Sequence, residues 1–193
     1  MKKIILVGIV IIGLSFGYYS LKTTNSLRAN FKEEVTTKKV IGEEKEEVID
    51  SIPNKIIFIE EGIGLPINET EIDSHERMIV PEGLKMAGWL KTSPIPGNVG
   101  NSLIAAHRDW NNKLGAFKYL EDIKIGETVV IEYKNGENRE FKVRSKEIID
   151  IKTNPNAKIE INSNKRMITL ISCTGAFDTK IKSYTQRALV TLE

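Results

Sequence analysis

From residue 52 to residue 193 the β-branched residues fall into short runs separated by turn signals, the pattern of strands in an all-β domain. The runs cover 55–60, 102–106, 128–133, 140–149, 167–173 and 188–192. Asn135-Gly136 lies between Val129-Val130-Ile131-Glu132-Tyr133 and Glu140-Phe141-Lys142-Val143. It predicts a hairpin, with a loop of two residues or slightly more, because both turn residues tolerate positive φ. One short helical pattern interrupts the strands, with Phe117, Leu120 and Ile123 on a single face. Pro94, Pro96 and Gly97 mark a loop before residue 102; Asn154-Pro155-Asn156 and Asn162-Ser163-Asn164 mark another before Met167. The segment is long enough to bury a core. These residues predict an all-β barrel or sandwich with one or two short helices.

The N-terminal part has a different character. Met1-Lys2-Lys3 precedes an apolar run from Ile4 to Leu21, which as a helix would reach about 27 Å, close to the thickness of bilayer hydrocarbon. The two lysines place that end in the cytoplasm and the rest of the chain outside. Tyr18-Tyr19-Ser20-Leu21-Lys22 is too bulky for a signal-peptidase site, so the run is read as an uncleaved, single-pass transmembrane anchor. Residues 22–51 are rich in Glu and Lys with little to bury, and read as a solvated stalk. The predicted division is therefore 1–21 anchor, 22–51 stalk and 52–193 folded domain. With 28 basic against 26 acidic residues, a net charge of +2 and 40% hydrophobic residues, the chain is no disordered polymer, basic nucleic-acid binder or polytopic membrane protein.

Few residues carry reactive chemistry. One cysteine excludes an internal disulfide, and one Cys with two His excludes a Cys/His zinc cage; no metal or cofactor is expected. Cys173 is predicted at the end of the run 167–172, opening into Thr174-Gly175. His107 ends the run 102–106 and leads into Arg108-Asp109-Trp110. Arg187 is predicted to open the last strand, near enough to Cys173 in sequence for the two to lie on adjacent strands. His75, within Glu71-Ile72-Asp73-Ser74-His75-Glu76-Arg77, reads as a surface residue. Taken singly, a Cys is most often a small buried hydrophobe. An exported chain with one unpaired thiol nevertheless carries an oxidation liability. Cys, His and Arg together supply a thiolate nucleophile, an acid/base and a fixed cation for an oxyanion, which is what acyl transfer requires.

These residues resemble a known family. Thr169-Leu170-Ile171-Ser172-Cys173 is similar to the T-L-x-T-C signature of the sortases, membrane-anchored transpeptidases of Gram-positive bacteria. Pro96-Gly97-Asn98-Val99-Gly100-Asn101-Ser102-Leu103-Ile104-Ala105-Ala106-His107-Arg108 resembles the segment leading into that family's catalytic His, and Gln186-Arg187-Ala188-Leu189-Val190 the segment around its catalytic Arg. The resemblance spans about residues 56–192, with three motifs in the family's order. Ser172 replaces the usual Thr but keeps a hydroxyl, and Ala106 replaces the Gly common before the His. The absence of a D-P-aromatic lid segment makes the chain most similar to class D and related compact sortases, with class A and class B as alternatives.

The resemblance implies a closed β-barrel and a substrate bearing a C-terminal L-P-x-T-G-like sorting signal. Cys173 would attack the Thr carbonyl, Arg187 would stabilise the oxyanion, and His107 would protonate the leaving Gly amine. The thioester would pass to an amine of a cell-wall peptide precursor, with no ATP and no metal. Ser172 and Asp109 are expected to support the site, and the loop 154–164 to line the substrate groove. Three rival readings remain: a cysteine peptidase that hydrolyses with the same residues, a non-enzymatic surface module with an inert Cys173, and a redox protein. The last is disfavoured because there is no second Cys to resolve a disulfide.

Overall fold

The computed structural model describes residues 48–154 and 157–193. Its strands are β1 (Pro53–Phe58), β2 (Ile63–Thr70), β3 (Ala87–Leu90), β4 (Gly100–Ala105), β5 (Asp109–Trp110), β6 (Lys113–Leu114), β7 (Thr128–Tyr133), β8 (Asn138–Asp150), β9 (Arg166–Asp178) and β10 (Ser183–Leu192). Eight of them close a barrel in the order β1-β2-β3-β4-β9-β10-β8-β7, while β5 and β6 form a separate small hairpin. Neighbours are antiparallel except at β2–β3 and β4–β9. Of the two all-β architectures the sequence allows, this is the barrel.

Strand alternation explains the closure. Ile168, Leu170, Ala188, Val190 and Leu192 are fully buried and fill the interior from β9 and β10. Each large apolar side chain hidden in this way contributes about 1.5–3 kcal/mol. An eight-stranded barrel is just wide enough for such side chains to fill it. The predicted helical pattern is a 3-10 helix, Ala116–Glu121, whose Phe117 and Leu120 enter the core, followed by the buried Ile123. Phe58 of β1 meets Phe117 edge-to-face, with ring centroids 5.7 Å apart.

The predicted hairpin forms with a slightly longer loop. Tyr133 N donates to Glu137 O at 2.8 Å and Gly136 N to Tyr133 O at 2.9 Å, with Gly136 at φ 85°. A Gly in the left-handed region at the end of such a loop is the usual solution for turns longer than two residues. Sequence periodicity missed β2 and β3. Gly64 and Pro66 interrupt β2, and β3 is a four-residue strand containing Gly88. The packed domain also starts earlier than residue 52. Ile49 is 3% exposed within the core, and its backbone is clamped by Asn98, whose Oδ1 accepts from Ile49 N and whose Nδ2 donates to Ile49 O, both at 2.8 Å.

The anchor and most of the stalk predicted from the sequence lie outside the described residues. Among the described residues no helix is long and apolar enough to cross a membrane.

Gly97 holds this end of the barrel together at φ 89°, where a Cβ would lie 2.6 Å from Ile49 Cδ1 and 3.2 Å from Phe141 Cζ. Gly126 has a similar φ of 92° but nothing within 4 Å. Gly126→Ala is therefore expected to cost about 1–2 kcal/mol, the left-handed strain alone. Gly97→Ala should cost roughly 1–3 kcal/mol more from overpacking. Denaturant unfolding of the two variants checks the order; equal losses would contradict the tight fit around Gly97.

Candidate active site

β9 carries Cys173 between two partners. On one side β10 runs antiparallel with Arg187 directly opposite Cys173. On the other, β4 runs parallel, with Ala105 opposite Ile171 and Ala106 N donating to Ile171 O at 3.3 Å. His107 follows two residues after Ala105, just past the end of that ladder. Cys173 and Arg187 are thus paired directly, and His107 lies on the segment that continues β4 beyond its last ladder pair with β9.

Alternation also decides which way they face. Ser172, Thr174 and Ala188 are buried toward the interior, so Cys173 and Arg187 stand on the outer face of the barrel. On this side Ile104 of β4 and Ala106 just after it join the core, and His107, past the end of the strand, is partly buried.

Two local predictions need correction. Cys173 does not end its strand, and Arg187 does not open its own, because β9 continues to Asp178 and β10 begins at Ser183. The Thr174-Gly175 sequence is a bulge within the ladder rather than a loop. Between the pairs Gln186–Thr174 and Tyr184–Phe177, Gly175 and Ala176 oppose Thr185 alone. Gly175 sits at φ 79°, and a Cβ there would lie 2.6 Å from Gln186 Oε1. Such a bulge sharpens the twist of the strand immediately after the cysteine.

Arg187 is held by oxygens that carry no formal charge. Its Nη1 donates to Tyr184 O at 2.9 Å and to Gln186 O at 2.8 Å, and its Nη2 to Ser183 Oγ at 3.0 Å. The guanidinium is therefore fixed in direction while its charge has no carboxylate partner among these contacts. Burial pushes the half-buried Cys173 thiol above its ordinary 9.0; Arg187 opposes this, Asp109 adds to it and Arg108 opposes it. Burial pushes His107 below its ordinary 6.5, with Asp109 pulling the other way. Burial thus disfavours the charged form of both groups.

The hairpin β5–β6 covers His107. Its turn residues Asn111 and Asn112 both have positive φ, 50° and 60°, the geometry of a tight two-residue hairpin turn. This places the Trp110 ring 4.8 Å from the imidazole. Behind it, Arg108 Nε donates to Glu121 Oε1 at 2.5 Å and Arg108 Nη1 to Asp109 Oδ2 at 2.9 Å. The Tyr184 hydroxyl also donates to Asp109 Oδ2, and the Arg108 guanidinium lies 5.2 Å above the Tyr184 ring. Sequence reasoning placed Asp109 near the site but missed Arg108, Glu121 and Tyr184. The polar Tyr184-Thr185-Gln186 stretch ahead of Arg187 was the available signal.

Ser172 does not join this group. It is 3% exposed, and its Oγ donates to Ala106 O at 3.5 Å, so it faces the interior and links β9 to β4. His75 is exposed in the β2–β3 crossover, where its N donates to Asp73 Oδ1. The segment after β8 leaves beside Arg187, with Ile151 N donating to Thr185 O at 3.0 Å. It reaches the start of β4 at the other end of the barrel, where Ile161 O accepts from Asn101 N at 2.9 Å. Lys158 on the way meets Glu76 at 2.9 Å. Among the described residues no group of His, Cys, Asp and Glu could hold a metal ion.

Comparison with solved structures finds the same fold repeatedly. Sortase C1 of Streptococcus agalactiae, in a complex with MTSET, is similar at a TM-score of 0.56 and 17% identity, over 89% of this chain and 87% of that one. A lid mutant of sortase A from Corynebacterium diphtheriae gives 0.54 and 21%, over 89% and 92%. Sortase A of Listeria monocytogenes gives 0.52 and 19%, over 75% and 87%. No curated protein matches. At these identities the structures establish the fold, and the family follows from the sequence match. The sortase-domain model covers residues 49–193, nearly the whole described domain, and the chain belongs to the sortase family of cysteine transpeptidases.

Proposed function

We propose that this chain is a membrane-anchored transpeptidase that cleaves an L-P-x-T-G-like sorting signal between Thr and Gly and joins the released carbonyl to a cell-wall peptide amine. The observation that carries this reading is the pairing of Cys173 with Arg187 across β9–β10, with the end of β4, two residues before His107, paired to β9 on the other side. The thiol proton passes to His107, and Cys173 Sγ attacks the Thr carbonyl. Arg187, whose guanidinium is fixed by neutral oxygens among the described residues, stabilises the oxyanion, an effect worth a few kcal/mol (about 2.7–4 per donor). His107 gives its proton to the departing Gly amine as the C–N bond breaks, leaving a thioester. The acceptor amine then attacks the thioester, His107 takes the amine's proton, and Sγ leaves as thiolate and recovers that proton from His107, restoring the starting pair. One amide replaces another, so the exchange requires no external energy source.

The apolar run 4–21 supports an anchor with its N-terminus in the cytoplasm and the domain outside, in a Gram-positive cell envelope. Tethering would concentrate the enzyme where a translocated protein and a lipid-linked acceptor meet. The hydrolytic alternative differs only in water replacing the amine.

The direct test incubates the full-length chain, in detergent micelles, with L-P-x-T-G-like peptides and triglycine, followed by mass spectrometry. A thioester on Cys173 and a ligated product are expected. Cys173→Ala and His107→Ala should abolish both, and Arg187→Lys should leave only a trace, because an ammonium does not reproduce the planar fork. Hydrolysed peptide alone, undiminished by triglycine, would favour the peptidase.

A second expectation concerns pH. Because burial raises the thiol and lowers the imidazole, kcat/KM should follow a bell whose acid limb lies below 6.5 and whose alkaline limb lies above 9.0. Arg187→Gln removes the cation that favours thiolate, so the pH midpoint of Cys173 alkylation by iodoacetamide should move upward. An unmoved midpoint would place the guanidinium away from the sulfur.

A further inference from the structure

His107 lies beyond the last ladder bond of β4, Ala106 N to Ile171 O at 3.3 Å, on backbone outside any strand. No sheet hydrogen bond sets the angle of its imidazole toward Cys173. The next two residues are fixed instead by side chains from other elements. Arg108 is paired with Glu121 of the 3-10 helix, which Lys118 Nζ also meets at 2.7 Å. Asp109 Oδ2 accepts from Arg108 and from the Tyr184 hydroxyl, and Tyr184 belongs to β10, three residues before Arg187. The Tyr184 carbonyl is itself one of the acceptors that orient Arg187. A single tyrosine therefore ties the His107 turn to the strand that carries Arg187, with Cys173 between them.

We propose that Asp109 and Tyr184 form a clasp that positions His107 against Cys173 and Arg187, with Asp109 also setting the charge balance across which the proton moves. The kinetic consequence rests on the transpeptidase reading above; the geometric and electrostatic consequences do not. The charged and titratable groups facing the Cys173–His107 pair are Asp109 and Arg108 from the turn, Arg187 and Tyr184 from β10, and Glu121 behind Arg108. Asp109 favours the protonated form of both members of the pair. Tyr184 is held above its ordinary 10.0 by its hydrogen bond to Asp109 and by burial, so it remains a donor at neutral pH.

Two variants of the full-length chain separate clasp from charge. Tyr184→Phe removes the donor and keeps the carboxylate. It is expected to lower kcat about tenfold, with KM within about twofold, as loss of a hydrogen bond to a charged group would. The His107 ring-proton NMR shifts, set by the Trp110 ring beside it, should move toward free-imidazole values. Asp109→Asn keeps an acceptor and removes the charge. Both the His107 titration and the pH midpoint of Cys173 alkylation should then move down. Adding Tyr184→Phe to Asp109→Ala should cost little beyond Asp109→Ala alone, since the shared contact is already gone and only the long 3.5 Å hydrogen bond from Arg108 Nη1 to the tyrosine hydroxyl is left to lose. Wild-type kcat and His107 shifts in Tyr184→Phe, or unmoved titrations in Asp109→Asn, would overturn the proposal. If no sorting-signal peptide is turned over by the wild type, the transpeptidase reading fails, while the NMR and alkylation measurements still decide the clasp.

Discussion

The site depends on two backbone ladders meeting at β9. The antiparallel ladder to β10 fixes Arg187 opposite Cys173, and the parallel ladder to β4 fixes how far along β9 the His107 segment arrives. Because side chains alternate across a sheet, a slip of one residue in either ladder would turn one member of the group inward. The register is protected by the core. Ile168 and Leu170 on β9, Ile104 on β4 and Val190 on β10 have no accessible surface, so any slip would bring apolar groups into water. Hydrophobic burial far from the sulfur thus holds the chemical groups in place.

The same barrel explains why the site is on the outside. With eight strands the interior is occupied by side chains, among them the buried Ser172 hydroxyl, and has no space for a peptide. Cys173 stands on the outer face instead, on the strand that pairs with β10 at Arg187. Half-burial is the compromise this produces. Burial disfavours the charged form of both Cys173 and His107, while the Arg187 charge still acts on the thiol.

Much of this was legible because strand patterns rich in Val and Ile are unambiguous. The run 128–133 coincides with β7, and the runs at 102–106 and 167–173 fall on β4 and β9. What escaped was what periodicity does not encode. Gly64, Pro66 and Gly88 weaken the strand signal of β2 and β3, which exist because neighbouring strands supply the pairing. The bulge at Gly175 reads as a loop in one dimension, since Gly marks both. Ile49 belongs to the core through Asn98, a contact with a loop far along the chain. Ser172 was expected beside the substrate on the strength of its hydroxyl, although a strand period of two already sets it opposite Cys173.

Arg108 and Arg187 make the clearest electrostatic contrast in the molecule. Both are half-buried beside the same thiol, and both favour its ionised form. Arg108 is matched by two carboxylates, Glu121 and Asp109, so its charge is largely cancelled at short range and it acts as a structural tie. Among the described residues Arg187 is tied to neutral oxygens, two backbone carbonyls and a serine hydroxyl. Neutral acceptors orient a guanidinium without neutralising it, and a half-buried site screens the remaining charge less than bulk water does. A cation in that state interacts weakly with a neutral substrate carbonyl and strongly with the oxyanion formed from it. That difference is what lowers a barrier rather than merely tightening binding. The sequence shows two arginines near the site; only the partners supplied by the fold distinguish the one that holds the turn from the one suited to the reaction.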